Sequence, residues 1–231
     1  MMEIRRFTFN PFQENTYAVW DEDRTAVIID PGNLRPEETA SLMELISSEG
    51  LRPAAILLTH CHFDHIYGVA GLVGAFGVGV YAGEAESQTV EFVRGMAQKA
   101  FMPSPDTSWK FTAVSDGDVL TFGKLSFKVI GTPGHTAGGV CYLLGGVDLF
   151  SGDTLFAGTI GRTDLPGGDY DSLIVSVMEN VMGLDGDVEV HPGHGGETNI
   201  GHERTHNPFL QPFNEKDEDS GELEGIEICG R

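Results

Sequence analysis

The chain has 231 residues, is 40% hydrophobic, and sets 35 acidic against 14 basic residues for a formal net charge of -21. That allows one large domain or two small ones with a sizeable core, while no stretch approaches the ~20 apolar residues of a membrane-spanning helix. With no run of Lys and Arg to offset the acidity and no apolar segment in Met1 to Thr8, the expectation is a soluble cytoplasmic protein that binds neither nucleic acid nor membrane.

In chain order, residues 3–9, 16–20 and 25–30 read as short strands of an antiparallel meander, rich in β-branched and aromatic residues and broken by Asn10-Pro11 and Asp21 to Arg24. The third ends in Asp30-Pro31-Gly32, a turn signal with a carboxylate at the strand end. Residues 37–48 have helical spacing closed by Gly50, and 54–58 is the next strand. A small-residue helix between His65 and Gly79, a strand at 78–81 and an amphipathic helix at 84–100 follow. Phe101 to Trp109, with Pro103 and Pro105, is a loop. Residues 112–122, 125–130, 140–144 and 147–150 read as strands separated by glycine-containing turns. A helix at 171–184, a last strand at 188–190 and a short helix at 203–210 complete the pattern. Strand-rich halves that each carry helices imply an α/β protein, a four-layer α/β/β/α sandwich in one domain over residues 1–212. Residues 213–231 are acidic and poor in large apolar side chains, which predicts a disordered tail. Leu223, Ile226 and Ile228 allow a short docked strand instead.

The chemistry concentrates where the strand at 54–58 ends. Four of the eight residues from Thr59 to Ile66 are His or Asp. His60 and His62 are two apart and share a side of extended backbone, whereas Asp64 and His65 are adjacent and diverge, so the four suit two metal positions better than one. Imidazole with carboxylate suits Zn, Fe or Mn. Cys61, Cys141 and Cys229 form no Cys-x-x-Cys pair, and alternation puts Cys61 opposite the histidines as a packing residue. Three later strand ends offer further ligand types beside glycine: His135 in Gly-His-Thr, Asp153 in Gly-Asp-Thr and His194 in Pro-Gly-His-Gly. His191, His202 and His206 read as supporting or surface residues.

His60-x-His62-x-Asp64-His65, Gly134-His135-Thr136, Gly152-Asp153-Thr154 and Pro192-Gly193-His194-Gly195 resemble, in order, the ligand motifs of the metallo-β-lactamase superfamily. The chain is most similar to its small glyoxalase II-like hydrolases, also through Phe12 to Tyr17, Ile29 to Gly32, Gly161 to Asp169, Glu203 and Asn207 to Leu210. The resemblance implies two divalent transition-metal ions, zinc first, with iron or manganese as the alternatives. One would be held by His60, His62 and His135, the other by Asp64, His65 and His194, with Asp153 bridging. It further implies that a hydroxide shared between the ions attacks the carbonyl of a small-molecule thioester of the S-lactoylglutathione kind, with Asp64 orienting it or taking its proton. Larger glyoxalase II enzymes carry a C-terminal helical region whose basic residues hold glutathione; no counterpart follows Leu210, which leaves the thiol open. Arg162 is a candidate for a substrate carboxylate, or else a salt-bridge partner of Asp164 or Asp169. Tyr142 is a candidate substrate contact by family analogy, or else a core strand residue. Asp30 is a candidate partner of a ligand histidine, or a turn residue. The alternative functions are a persulfide dioxygenase with one iron on His60, His135 and Asp153, and a non-catalytic binding domain of the same fold.

Overall fold

The computed structural model describes residues 2–211; the expected tail and its boundary lie outside them. Two six-stranded sheets face each other. The first is built from β1 (Glu3–Phe9), β2 (Glu14–Trp20), β3 (Thr25–Ile29), β4 (Arg52–Leu57), β5 (Gly79–Gly83) and β6 (Thr112–Val114), in that spatial order. Its first three strands are antiparallel, as the meander required, and β3 to β6 run parallel. The crossovers carry α1 (Pro36–Ser48), α2 (Phe63–Ile66), α3 (Val69–Phe76) and α4 (Glu86–Lys99). The second sheet is built from β7 (Val119–Phe122), β8 (Leu125–Gly131), β9 (Val140–Leu144) and β10 (Asp148–Gly152). The two-stranded hairpin β11 (Leu155–Phe156) and β12 (Thr159–Ile160) and the helix α5 (Tyr170–Val175) follow. Then β13 (Glu189–Pro192) and β14 (Thr198–Asn199) complete the second sheet, whose order is β14-β13-β10-β9-β8-β7, and α6 (Ile200–His206) ends the regular structure before a 3-10 turn at Pro208–Leu210.

Strand alternation explains the four layers. Val27 and Ile29 of β3 pack between the sheets against Phe127, Tyr142 and Phe150. Their neighbours Ala26 and Ile28 face the other way, with Leu42 and Ile46 of α1 and Val93 and Ala97 of α4. In the second sheet Tyr142 and Leu144 point inward, while Cys141 and Leu143 point out with Leu173 and Val177. Strands buried on both faces therefore read as unbroken apolar runs, each buried Ile or Leu adding about 1.5–3 kcal/mol. Among the described residues no helix is long and apolar enough to cross a membrane.

Two sequence expectations change. The single strand expected over 112–122 is two strands in different sheets, β6 and β7. They are joined by a turn in which Asp118 Oδ2 accepts the Ser115 amide at 2.8 Å and Gly117 sits at φ 83°. The apolar pattern hid that break because Val114 and Val119 read as one continuous run, although Val114 is buried and Val119 is exposed. The helix expected over 171–184 is α5 followed by a π-helical stretch, Ser176–Val181. There Ser176 Oγ donates to the Pro133 carbonyl and Asn180 Nδ2 to that of Gly131, tying the stretch to the loop before His135.

Candidate metal centre

Four strand ends from both sheets deliver their side chains to one place. β4 ends just before His60, and His62 keeps extended backbone (φ -64°, ψ 150°) before the chain turns into α2. This puts the His60 and His62 rings 4.7 Å apart and swings Asp64 and His65 away along the helix. His135 follows β8, Asp153 follows β10 and His194 follows β13.

Two groups of donor atoms result, each with its members within 4.8 Å of one another: His60, His62 and His135, and Asp64, His65 and His194. Asp153 lies between them. Its Oδ2 is 3.5 Å from His135 Nε2 and 3.5 Å from His194 Nε2, and its Oδ1 is 3.5 Å from His65 Nε2. The polypeptide is shaped around this carboxylate: a Cβ at Gly193 would collide with Asp153 Oδ1 and the His65 ring.

Hydrogen bonding decides what the nitrogens present. A carbonyl oxygen only accepts, so His135 Nδ1 donates to the Arg162 carbonyl at 2.7 Å and His194 Nδ1 to that of Phe12 at 3.0 Å. His65 Nδ1 lies 3.2 Å from Asp30 Oδ2. Each ring is thereby left with a bare Nε2, and those of His65 and His194 face each other at 3.2 Å. A proton shared between the two rings, or a metal cation beside them, relieves the opposition of their lone pairs. His60 Nε2 and Asp153 Oδ1 are buried with no hydrogen-bond partner, which native interiors rarely tolerate. The donor set fits divalent metal.

Electrostatics divide the cluster, holding His60 neutral while the surrounding carboxylates favour the charged form of His65. Burial, then the neighbouring histidines, hold His60 well below the ordinary imidazole range, the neutral form a ligand needs. Burial opposes ionisation of Asp64, but His65 and His194 overcome it and keep its carboxyl below the usual carboxylate range. His65 is likewise desolvated, yet Asp153, Asp64 and Asp30 raise it well above its ordinary value.

Asp30 is both a turn residue and a partner. It adopts φ 46°, and its Oδ1 accepts the Thr59 amide at 2.7 Å while Oδ2 accepts the Thr59 hydroxyl at 2.6 Å. Its donor atom also lies with those of His60 and His65. With these bonds already made, it orients His65 rather than offering a free ligand. Tyr142 is not a substrate contact: alternation along β9 buries it completely between the sheets, where its hydroxyl donates to the Leu58 carbonyl at 3.0 Å. Arg162 reaches the cavity, but its guanidinium is engaged by Asp164. His191 pairs with Asp148 at 2.9 Å, and His202 and His206 stack on each other at the surface.

Sequence reasoning missed Glu86. Fully buried, it accepts the Cys61 amide at 2.7 Å and the Thr136 hydroxyl at 2.5 Å, joining the loops that carry His60, His62 and His135. The available signal was a glutamate in helical register with Val93 and Ala97, the buried stripe of α4. Above the cluster opens a cavity of about 750 Å³, walled by Phe12, Phe63, Met96, Ala100, Leu165 and Pro166.

Residues 9–194 match the family model described as the metallo-beta-lactamase superfamily. The hydroxyacylglutathione hydrolase GloC of Haemophilus influenzae is 34% identical over 90% of this chain and 98% of its own length. Among solved structures, the BLEG-1 B3 metallo-beta-lactamase superposes with a TM-score of 0.83 at 36% identity, covering 90% of this chain and all of the other. A di-iron-bound form of TTHA1623 gives 0.78 at 38% identity over 89% of this chain and all of the other. With this fold, and with a match across most of its length, the chain belongs to the metallo-β-lactamase superfamily.

Proposed function

We propose that the protein is a metal-dependent hydrolase that cleaves a small-molecule thioester. The observation that carries this is the pairing of two donor groups around Asp153 with a cavity whose lining, among the described residues, contains no serine, threonine or cysteine. With no hydroxyl or thiol nucleophile in that lining, water activated at the donor cluster is the attacking group in this reading. When bound, two divalent ions would lower the pKa of water from 15.7 to about 7 and polarise a carbonyl oxygen. His60, His62 and His135 would hold one ion, Asp64, His65 and His194 the other, and Asp153 would bridge. Asp64, held ionised by its histidines, orients the attacking water or takes its proton while ligating. The new C–O bond forms as the C–S bond breaks; the thiol sulfur leaves with the bonding pair and is protonated by water, so a strong general acid is not needed. The apolar wall keeps bulk water from the carbonyl.

Similarity to GloC supports the thioester reading, and the nitrogen and oxygen donor set suits zinc, iron or manganese; the di-iron form of TTHA1623 keeps iron among the candidates. Similarity to BLEG-1 supports a second reading, hydrolysis of a β-lactam amide by the same groups. Metal-replete protein should release thiol from S-lactoylglutathione or a simpler lactoyl thioester. Turnover of a β-lactam without thioester cleavage would establish the second reading, and oxygen uptake with glutathione persulfide would overturn hydrolysis.

A further inference from the structure

The cavity above the histidine cluster has a polarity that the hydrolytic groups do not explain. At about 750 Å³ it falls in the range that encloses an entire drug-sized ligand, far more than a lactoyl group needs. The remaining space must take the half of the substrate that does not react. Most of its wall is apolar, and two cations reach it, Arg162 and Lys99.

These two cations are not equivalent. Asp164 meets Arg162 in a fork, with Nε and Nη2 each 2.7 Å from a carboxylate oxygen, so its charge is already matched. Lys99 ends α4, and among the described residues no carboxylate lies within ion-pair distance of its ammonium. Among the described lysines Lys124 has two carboxylate partners, Glu22 at 2.6 Å and Asp23 at 3.0 Å, whereas Lys99, Lys110 and Lys128 have none within ion-pair distance, and of these three Lys99 is the one in the cavity wall. A helix C-terminus favours lysine whatever its task, but that does not place the residue in a cavity wall. Two residues on, Phe101 is held at φ 57° with its ring 97% exposed, left-handed backbone that non-glycine residues seldom adopt. It directly follows Ala100, itself part of the wall. The end of α4 thus presents a lone cation between apolar groups.

We propose that the end of the substrate remote from its reacting carbonyl is an apolar segment terminating in an anionic group, laid along Phe12, Phe63, Met96 and Leu165 and held by Lys99. This rests on the thioester reading and specifies the thiol half: an acid-bearing thiol with a hydrocarbon-like spacer. Arg162, occupied by Asp164, is not the anchor.

The test compares S-lactoyl-6-mercaptohexanoate with its neutral amide, S-lactoyl-6-mercaptohexanamide, on full-length, metal-loaded protein. The wild type should prefer the acid in kcat/KM by about ten-fold, through KM, as one charge-assisted contact gives. Lys99→Met should bring the ratio near one, Lys99→Glu should push it below one, and added salt should shrink the wild-type preference. Calorimetric titration with the corresponding S-propyl thioethers, which cannot be hydrolysed, reads the same preference without turnover. A wild-type ratio near one, or a preference that persists in Lys99→Met, overturns the assignment. If neither thioester is cleaved while the thioethers still show a Lys99-dependent preference for the acid, the thioester reading fails and the anion site stands.

Discussion

Glu86 and Thr136 are joined by a 2.5 Å hydrogen bond from the threonine hydroxyl to a carboxylate that is wholly buried and that also accepts the Cys61 amide. One side chain from the first turn of α4 therefore clamps the loop after β4 to the loop after β8, and with them three candidate ligands.

That burial makes Glu86 a source of pH-dependent stability. Desolvation raises its carboxyl above the ordinary value, only partly offset by Thr136 and the Cys61 amide. The folded protein thus binds a proton there more tightly than the unfolded chain. By linkage the group's contribution is fully present below the unfolded value of about 4.3 and is lost as pH rises through the higher folded value. Glu86→Gln keeps an acceptor for Cys61 and an amide that can donate to Thr136 Oγ1, but does not titrate. Urea unfolding from pH 4 to 8 should show wild-type stability falling relative to Glu86→Gln. A constant difference would mean that Glu86 is ionised alike in both states.

Asp30 fixes which nitrogen His65 presents. In Asp30→Asn the one remaining oxygen satisfies the Thr59 amide, leaving the NH2 group to face the Thr59 hydroxyl and His65 Nδ1. His65 must then accept at Nδ1 and carry its proton on Nε2, the atom that faces His194. Metal affinity should drop by roughly 10–100-fold, as for other partners of ligating histidines, measured by competition with a chromophoric chelator. Wild-type affinity in Asp30→Asn would show that the tautomer is set elsewhere.

The strands were legible because β2, β3 and the second half of β4 are buried on both faces and their apolar runs have no other home. The two-residue strands β11, β12 and β14 carry no period and could not be seen. The break between β6 and β7 was written in Ser115 to Asp118 but masked by the apolar residues flanking it. At the site, His and Asp beside glycine after an apolar run were visible, and the structure brings all seven together. The burial of Glu86 and the place of Lys99 at the cavity rim were not visible, because an amphipathic helix offers acids and bases at many positions and only the packed structure shows where each one lies. Asp30 was ambiguous for a similar reason: its left-handed backbone makes it turn and partner at once.

Asp153 sits between the two donor groups, within 3.5 Å of nitrogens from both. Asp153→Ala is expected to lose both ions together, whereas His60→Ala should weaken one. Elemental analysis after dialysis distinguishes them: metal near the wild-type level in Asp153→Ala would show that the carboxylate does not bridge.

The last prediction concerns folding. His60, His62, Asp64 and His65 follow a strand of the first sheet, while His135, Asp153 and His194 follow strands of the second. Ions held by both sets would cross-link the two sheets at one edge, where bare nitrogens and the unpaired Asp153 oxygen otherwise face each other. Binding only to the folded state adds about 2.7 kcal/mol when free metal is 100 times Kd, and the ligand-to-ligand repulsion that appears on metal removal adds to the loss. Chelation followed by calorimetry should therefore lower Tm by several degrees, with recovery when zinc, iron or manganese is restored. Because this readout needs no substrate, it tests the metal centre independently of the thioester reading. An apo form that melts at the holo temperature would show that the sheets are held by their apolar interface alone.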